Sequence, residues 1–286
     1  MIDENGFHKE NHIRDKVIVV TGAANGFGRL ICKKASLLGA KIMPADINEK
    51  KLLELVSDIN KQGGAVQGMK TDVCYQGQMH DLAQKAISDF GSIDVMINNA
   101  GVMPMAFYAD HSIASDAWDR CIDINFKGVL HGINASYDQM IKQGRGHVVN
   151  LASIVANAPA AGCAVYGATK AAVVFLSEGL RVESQGKIKV TIVRPTGVPN
   201  TGLNDTVINP ESGIGVFGQN FEKTKEKHLA LGSGQHPSGW TDKNSIEYFA
   251  LDAESLVDQV INAINQPWGL LISDITVRAS GESFVI

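Results

Sequence analysis

No run of about 18 uninterrupted apolar residues occurs in the 286-residue sequence, so no membrane-spanning helix is expected. Residues 1–11 are polar and mixed in charge, with no apolar segment behind them, so no secretory leader is expected either. A basic excess is missing too: 26 Lys and Arg stand against 30 Asp and Glu, a formal net charge of −4. No short Lys/Arg block breaks that balance, which argues against nucleic acid as a partner. The four cysteines (Cys32, Cys74, Cys121, Cys163) are widely scattered without a CxxC pair, and neither they nor the eight histidines show metal-ligand spacing. Reduced thiols, structural or solvent-facing histidines, no metal site and a cytoplasmic setting are therefore expected. Repeats and low-complexity tracts are also lacking. What is present is apolar in ordinary measure: 44% hydrophobic and 20% charged residues. That composition in a chain of this length suits a soluble globular protein with a substantial core, not a disordered one.

Short β-branched runs alternate with longer amphipathic stretches. The pattern predicts strands over residues 17–20, 41–45, 65–70, 95–98, 146–151, 189–194 and 271–277, and helices over 29–38, 49–62, 75–90, 114–143, 165–184 and 253–265. This alternation predicts an α/β fold: a parallel sheet of about seven strands with helices on both faces. Runs such as VIVV and HVVNL are apolar throughout, as strands covered on both sides must be. Pro44 lacks a ladder donor, so the second strand is expected to end or bulge there. Residues 1–13 read as a polar extension and 14–286 as a single domain. Within it, residues 199–244 are rich in Gly, Asn and Pro and poor in periodicity, which predicts a substrate lid insertion.

The first strand runs into Thr21-Gly22-Ala23-Ala24-Asn25-Gly26-Phe27-Gly28, after which a helix begins. Glycines there let the backbone turn tightly against a pyrophosphate, whose charge the helix N-terminus favours; a plain tight turn is the alternative. Asp46 ends the second strand, where a carboxylate can accept from both adenosine ribose hydroxyls and repel a 2′-phosphate, or simply cap the next helix. The neighbouring positions at which a basic residue favours NADP hold Asn25 and Ile47, so NAD is expected. Further along stand Asn98-Asn99-Ala100-Gly101, Ser153, and Tyr166-Gly-Ala-Thr-Lys170. Tyr166 and Lys170 lie one helical turn apart and share a face. An ammonium near a phenol favours the phenolate, which predicts a tyrosine brought down from its ordinary value near 10 into the range useful for proton transfer.

This set, with Asp72-Val73 and Asn125 in Asn-Phe-Lys-Gly128, resembles the short-chain dehydrogenase/reductase family over about residues 14 to 200 and the final strand. The resemblance implies a Rossmann-like doubly wound sheet, with Tyr166 as general acid/base and Ser153 holding the substrate oxygen. It implies that Lys170 lowers the tyrosine pKa and grips the nicotinamide ribose, and that Asn125 anchors a proton-relay water. Gly22, Asn25, Gly26, Phe27 and Gly28 fall on the cofactor turn, Asp72 and Val73 on the adenine contacts, and Asn99 and Gly101 in the NNAG motif beside the adenosine end. Pro195-Thr196-Gly197-Val198-Pro199-Asn200-Thr201 stands where the family has PGxVxT, with one extra residue before Gly197; Val198 and Thr201 are assigned to the nicotinamide amide. On the family fold Met103 and Met105 flank the substrate mouth, plain packing being the alternative, and with Val155, Ala158, Pro159 and Ala160 they suggest an apolar substrate pocket.

The function implied is hydride transfer between NAD and a hydrophobic secondary alcohol or ketone, with oxidation the cellular direction, in a homotetramer or homodimer built on the helices at 114–143 and 165–184. Two other readings are an epimerase or dehydratase, which usually carries GxxGxxG and a larger C-terminal substrate domain, and an NAD-binding sensor or scaffold protein without turnover, whose signature is a lost Ser, Tyr or Lys.

Overall fold

The computed structural model describes residues 10–199 and 201–286. Residues 1–9, which hold most of the polar extension and His8, and Asn200 of the expected lid lie outside the described residues. β1 (Val17–Thr21) leads into α1 (Gly26–Leu37), and β2 (Lys41–Asp46) into α2 (Glu49–Lys61). Two short pieces, β3 (Ala65–Val66) and β4 (Met69–Lys70), precede α3 (Gln76–Phe90) and β5 (Val95–Asn98). Next come α4 (His111–Ile122), a π turn (Asp123–Lys127), α5 (Gly128–Gln143) and β6 (Gly146–Leu151), followed by α6 (Ala164–Glu183) and β7 (Ile188–Pro195). Two helices outside the sheet, α7 (Ile214–Phe217) and α8 (Phe221–Ser233), come before α9 (Ala253–Ile264) and β8 (Asp274–Val277).

Every pairing is parallel, in the order β3-β2-β1-β5-β6-β7-β8, with β4 also on β2. This is the expected doubly wound α/β sheet. Its inner strands β1, β5 and β6 are buried along their whole length because both faces are covered. Ile18 and Val20 of β1 pack with Ile31, Leu55 and Val260 on one face, while Val17 and Val19 pack with Leu82, Ile133 and Val173 on the other. Each such side chain contributes roughly 1.5–3 kcal/mol by leaving water. Among the described residues, no helix is long and apolar enough to cross a membrane.

A buried polar chain ties the sheet to α6. Asn98 donates Nδ2–H to Asn150 Oδ1 at 2.8 Å, Asn150 donates to Ser177 Oγ at 2.9 Å, and Ser177 donates to the Val173 carbonyl at 2.7 Å. Gly132 of α5 closes the other side: a Cβ there would run into Asn98 Oδ1.

Three elements differ from the sequence reading. β2 does not end or bulge at Pro44 but continues to Asp46, with Pro44 in register with Val20. The carbonyls of Ile42 and Asp46 accept from Gln67 and Thr71, so alternate residues of β2, Pro44 among them, turn toward β3 and β4. The missing proline N–H therefore faces the Gln67–Gly68 interruption, and the expected strand over 65–70 is split in two. The helix expected over 114–143 begins at His111 and carries a π turn at Asp123–Lys127, where one extra residue per turn re-aims the side chains. The segment over 199–244 is not without periodic structure, for α8 runs thirteen residues; only Phe221 and Thr224 of it are buried, too narrow an apolar stripe to register in sequence.

Candidate active site

The chain winds outward from β1 toward β3 in one direction and from β5 toward β8 in the other, so the C-terminal ends of β1 and β5 border the crevice where strand order reverses. A cleft of about 630 Å³ opens there. Its wall brings together Gly22, Asn25, Gly26, Phe27, Asp46, Asn99 and Gly101 at one end.

The glycine turn is shaped by contacts that leave no room for a side chain. Gly22 has φ 65°, and a Cβ on it would come within 2.8 Å of Ala100 Cα. Gly26 has φ 49° and faces the Thr201 carbonyl at 2.7 Å from the same position, and a Cβ on Gly28 would strike the Gly22 carbonyl. Asn99 fastens the turn to β5 by donating Nδ2–H to the carbonyls of Thr21 (2.9 Å) and Gly22 (3.0 Å). The Asn25 side chain does not cap α1, which leaves first-turn N–H groups open to an anionic group in the cleft. Asp46 is oriented by two backbone donors, Ala24 N–H to Oδ2 at 2.9 Å and Asn48 N–H to Oδ1 at 2.8 Å. These features fit the diphosphate and ribose of a dinucleotide. One neighbour escaped the sequence reading: Lys51 donates Nζ–H to Asn25 Oδ1 at 3.0 Å, a reach across helix α2 that only the fold reveals.

Asp72 and Val73 do not line the cleft. Val73 is buried against Gly128, and its carbonyl accepts from His131 Nδ1 at 2.8 Å. Asp72 turns its carboxylate to its own chain, accepting from Cys74 N–H at 3.0 Å.

At the middle of the cleft Ser153 follows β6, and Tyr166 and Lys170 line the wall from the first two turns of α6. Lys170 donates Nζ–H to the Leu151 carbonyl at 2.7 Å and stands 5.8 Å from the Tyr166 ring centroid. Burial pushes the Tyr166 phenol up from its ordinary value, and a hydrogen bond from Ser153 draws it partly back. Burial also pushes the Lys170 amine down to about 8. This corrects the expectation that Lys170 brings the phenol down. Both side chains are 4% exposed, and loss of hydration is the largest cause of either shift.

Asn125 does not line the cleft; the π turn places it directly behind. It accepts from Val102 N–H at 2.9 Å and donates to the Val102 carbonyl at 2.8 Å, with Cys121 Sγ and Thr169 Oγ1 both 3.3 Å from Nδ2. A Cβ on Gly101 would sit 3.3 Å from Asn125 Oδ1 and 3.6 Å from Lys170 Nζ, so a glycine there lets the two side chains converge. The contacts of Cys121 and Thr169 were not read from sequence, although Cys121 lies one helical turn before Asn125.

Met103, Met105 and Val155 line the far end, and Val198 and Thr201 line the wall beyond the sheet. Ala158, Pro159 and Ala160 do not; Ala158 and Pro159 are exposed. The sequence reading missed Val216, Phe217, Phe221 and Phe284 in this wall, and His228, given only a structural or solvent role, also lines it. Nothing in their local spacing marks them, because they arrive from α7, α8 and the segment after β8.

Residues 16–211 match the family model for short chain dehydrogenases, and the chain belongs to that family. It is thereby an oxidoreductase of the short-chain type. An uncharacterized oxidoreductase of Staphylococcus epidermidis is 31% identical over 267 residues, covering 93% of this chain and 98% of that one. One from Staphylococcus saprophyticus is 40% identical over 201 residues, 69% of this chain and 79% of the relative. Among solved structures, a short-chain dehydrogenase/reductase from Burkholderia phymatum in complex with NAD has a TM-score of 0.73 at 27% identity, covering 93% of this chain and 90% of that one. A metagenomic short-chain oxidoreductase in complex with NADP, at 24% identity and TM-score 0.70 over 93% and 98% of the two chains, shares the fold.

Proposed function

We propose that this protein transfers a hydride between NAD and a hydrophobic secondary alcohol or ketone, with Tyr166 as general acid/base. The observation that carries the reading is the convergence of Ser153, Tyr166 and Lys170 in one buried wall, beside the N-terminus of α1 and an oriented carboxylate. When bound, the dinucleotide supplies the hydride acceptor or donor. In oxidation, Ser153 Oγ holds the substrate oxygen while Tyr166 Oη, as phenolate, takes the hydroxyl proton. In reduction, Tyr166 returns that proton to the carbonyl oxygen. Lys170 would hold the nicotinamide ribose, and Asn125, from behind the wall, braces the Val102 backbone. NAD preference makes oxidation the cellular direction. The test is appearance of the reduced nicotinamide when the protein meets NAD or NADP with a panel of hydrophobic secondary alcohols, sterols, polyols and hydroxy acids. NAD binding without turnover of any member would favour a sensor or scaffold role instead.

The NAD preference rests on Asp46, whose carboxylate lines the cleft. Two like charges a few ångströms apart near a protein surface repel by a few kcal/mol. Asp46→Asn is therefore expected to raise kcat/KM for NADP about 10-fold or more while lowering it for NAD, as measured with both cofactors at one alcohol concentration. An unchanged ratio would mean that Asp46 does not meet the ribose.

Self-association through α4 and α6 is supported by their exposed apolar side chains. Ile113 is 69% exposed on α4, and Phe175 (83%) and Val182 (68%) stand two turns apart on α6. A homotetramer or homodimer covers them with a second copy. Phe175→Glu is expected to shift the mass by light scattering toward the monomer; an unchanged oligomer would place the interface elsewhere.

A further inference from the structure

Beyond β8 the chain crosses back to the cleft. There Val285 donates its N–H to the Val216 carbonyl at 3.1 Å, and Asn220 donates Nδ2–H to the Ser283 carbonyl at 3.2 Å. Arg278 ties the same segment together, pairing with Glu282 at 2.6 Å and donating to the Ile286 carbonyl at 2.9 Å. Residues 278–286 are thus fastened to α7 and to the turn before α8, and they carry Phe284 into the cleft wall. The Phe284 ring lies 4.8 Å from that of Phe217, tilted 51°, and a Cβ on Gly197 would come within 3.0 Å of it. Gly197 belongs to the loop after β7, so the ring is wedged between that loop and α7. It joins the same apolar cluster as Tyr166, Met103, Met105 and Val155.

Several polar groups around this compartment are spent on the protein itself. Ser212 and Thr224 are buried and donate their hydroxyls to the Asn209 and Asn220 carbonyls. Met103 N–H is met by Thr206 Oγ1 at 2.7 Å. Lys225 pairs with Glu211 at 3.0 Å, and His228 donates Nδ1–H to the Thr224 carbonyl at 2.9 Å. A substrate body placed here meets the rings of Phe217, Phe221 and Phe284, two thioethers and aliphatic side chains, with the hydroxyls of Ser153 and Tyr166 as the polar pair at the reacting oxygen. Ring faces and edges favour a flat partner over a flexible chain, because aromatic contacts add to area burial and a rigid body loses less freedom on binding.

We infer that Phe284 is a specificity-determining residue that selects flat cyclic or aryl secondary alcohols and ketones, a substrate class that rests on the alcohol–ketone reading above. The test measures equilibrium binding of acetophenone and of a linear octanone to the full chain in the presence of NAD, by ligand-observed NMR, with turnover followed separately. Wild type is expected to hold acetophenone the more tightly. Phe284→Ala is expected to weaken acetophenone binding roughly 10- to 100-fold and leave the linear ketone within a few-fold. Phe284→Tyr, which keeps the ring, is expected to restore the preference and guards against misfolding of the alanine variant. Equal weakening of both ketones, no change for either, or absence of acetophenone binding to wild type would overturn the inference. Binding with the expected discrimination but no hydride transfer to acetophenone or from its alcohol would instead count against the reaction proposed above.

Discussion

Tyr166→Phe is expected to lower kcat about 100- to 10,000-fold in both directions, the range that a positioned proton donor or acceptor contributes. Phenylalanine fills the same buried volume, so thermal stability and dinucleotide binding should stay close to wild type. The loss then reports chemistry and not collapse. The wild-type pH profile carries the complementary sign. Burial raises the phenol above its ordinary value, so it stays protonated through neutral pH. Ketone reduction, which uses that proton, should hold level across neutral pH, whereas alcohol oxidation, which needs the phenolate, should climb as pH rises into the alkaline range. A variant that keeps wild-type turnover, or an oxidation rate flat through alkaline pH, would show that another group moves the proton.

The second large effect concerns Gly132, which does not line the cleft. Its Cα packs against the Asn98 carboxamide, and an added methyl would overlap Oδ1. The asparagine has nowhere simple to go, because its Nδ2 is held by Asn150, which in turn is held by Ser177. Gly132→Ala therefore combines overpacking, typically 1–3 kcal/mol, with a strained or broken buried hydrogen bond of similar cost. A loss of about 3 kcal/mol is expected, seen as a fall of roughly 6 °C or more in the unfolding midpoint. A midpoint within a degree or two of wild type would mean that α5 can shift away from β5 freely. The Gly132→Ala/Asn98→Ala double variant should recover part of the loss, since the obstructing carboxamide is then gone.

The sheet was legible in sequence because its inner strands are buried on both faces, and a run such as His147-Val148-Val149-Asn150-Leu151 has few other uses. The glycine turn, Asp46 and the Ser–Tyr–Lys set were legible because each sits at the end of such a strand or at the start of a helix. The features that escaped depend on side chains meeting from distant elements. A helical period extrapolates smoothly through residues 123–127 and hides the π turn that turns Asn125 inward. Pro44 looked like the end of a strand because sequence does not show that its empty donor position faces a gap in the neighbour. Phe217 and Phe284 lie far apart in the chain, and their pairing follows from the path taken after β8. The proton affinity of Tyr166 was misjudged for the same reason: adjacency to Lys170 shows in sequence, whereas burial of both does not.

The split between β3 and β4 has a consequence for how molecules of this protein meet one another. An edge strand with a long row of free N–H and C=O groups is a template on which a second chain can add. Here the edge is reduced to two-residue stubs separated at Gln67–Gly68, and the strand behind them lacks a donor at Pro44. An incoming strand finds no continuous ladder to extend. Sheet-to-sheet growth along that side is disfavoured in the folded molecule, and the proline in β2 contributes to that.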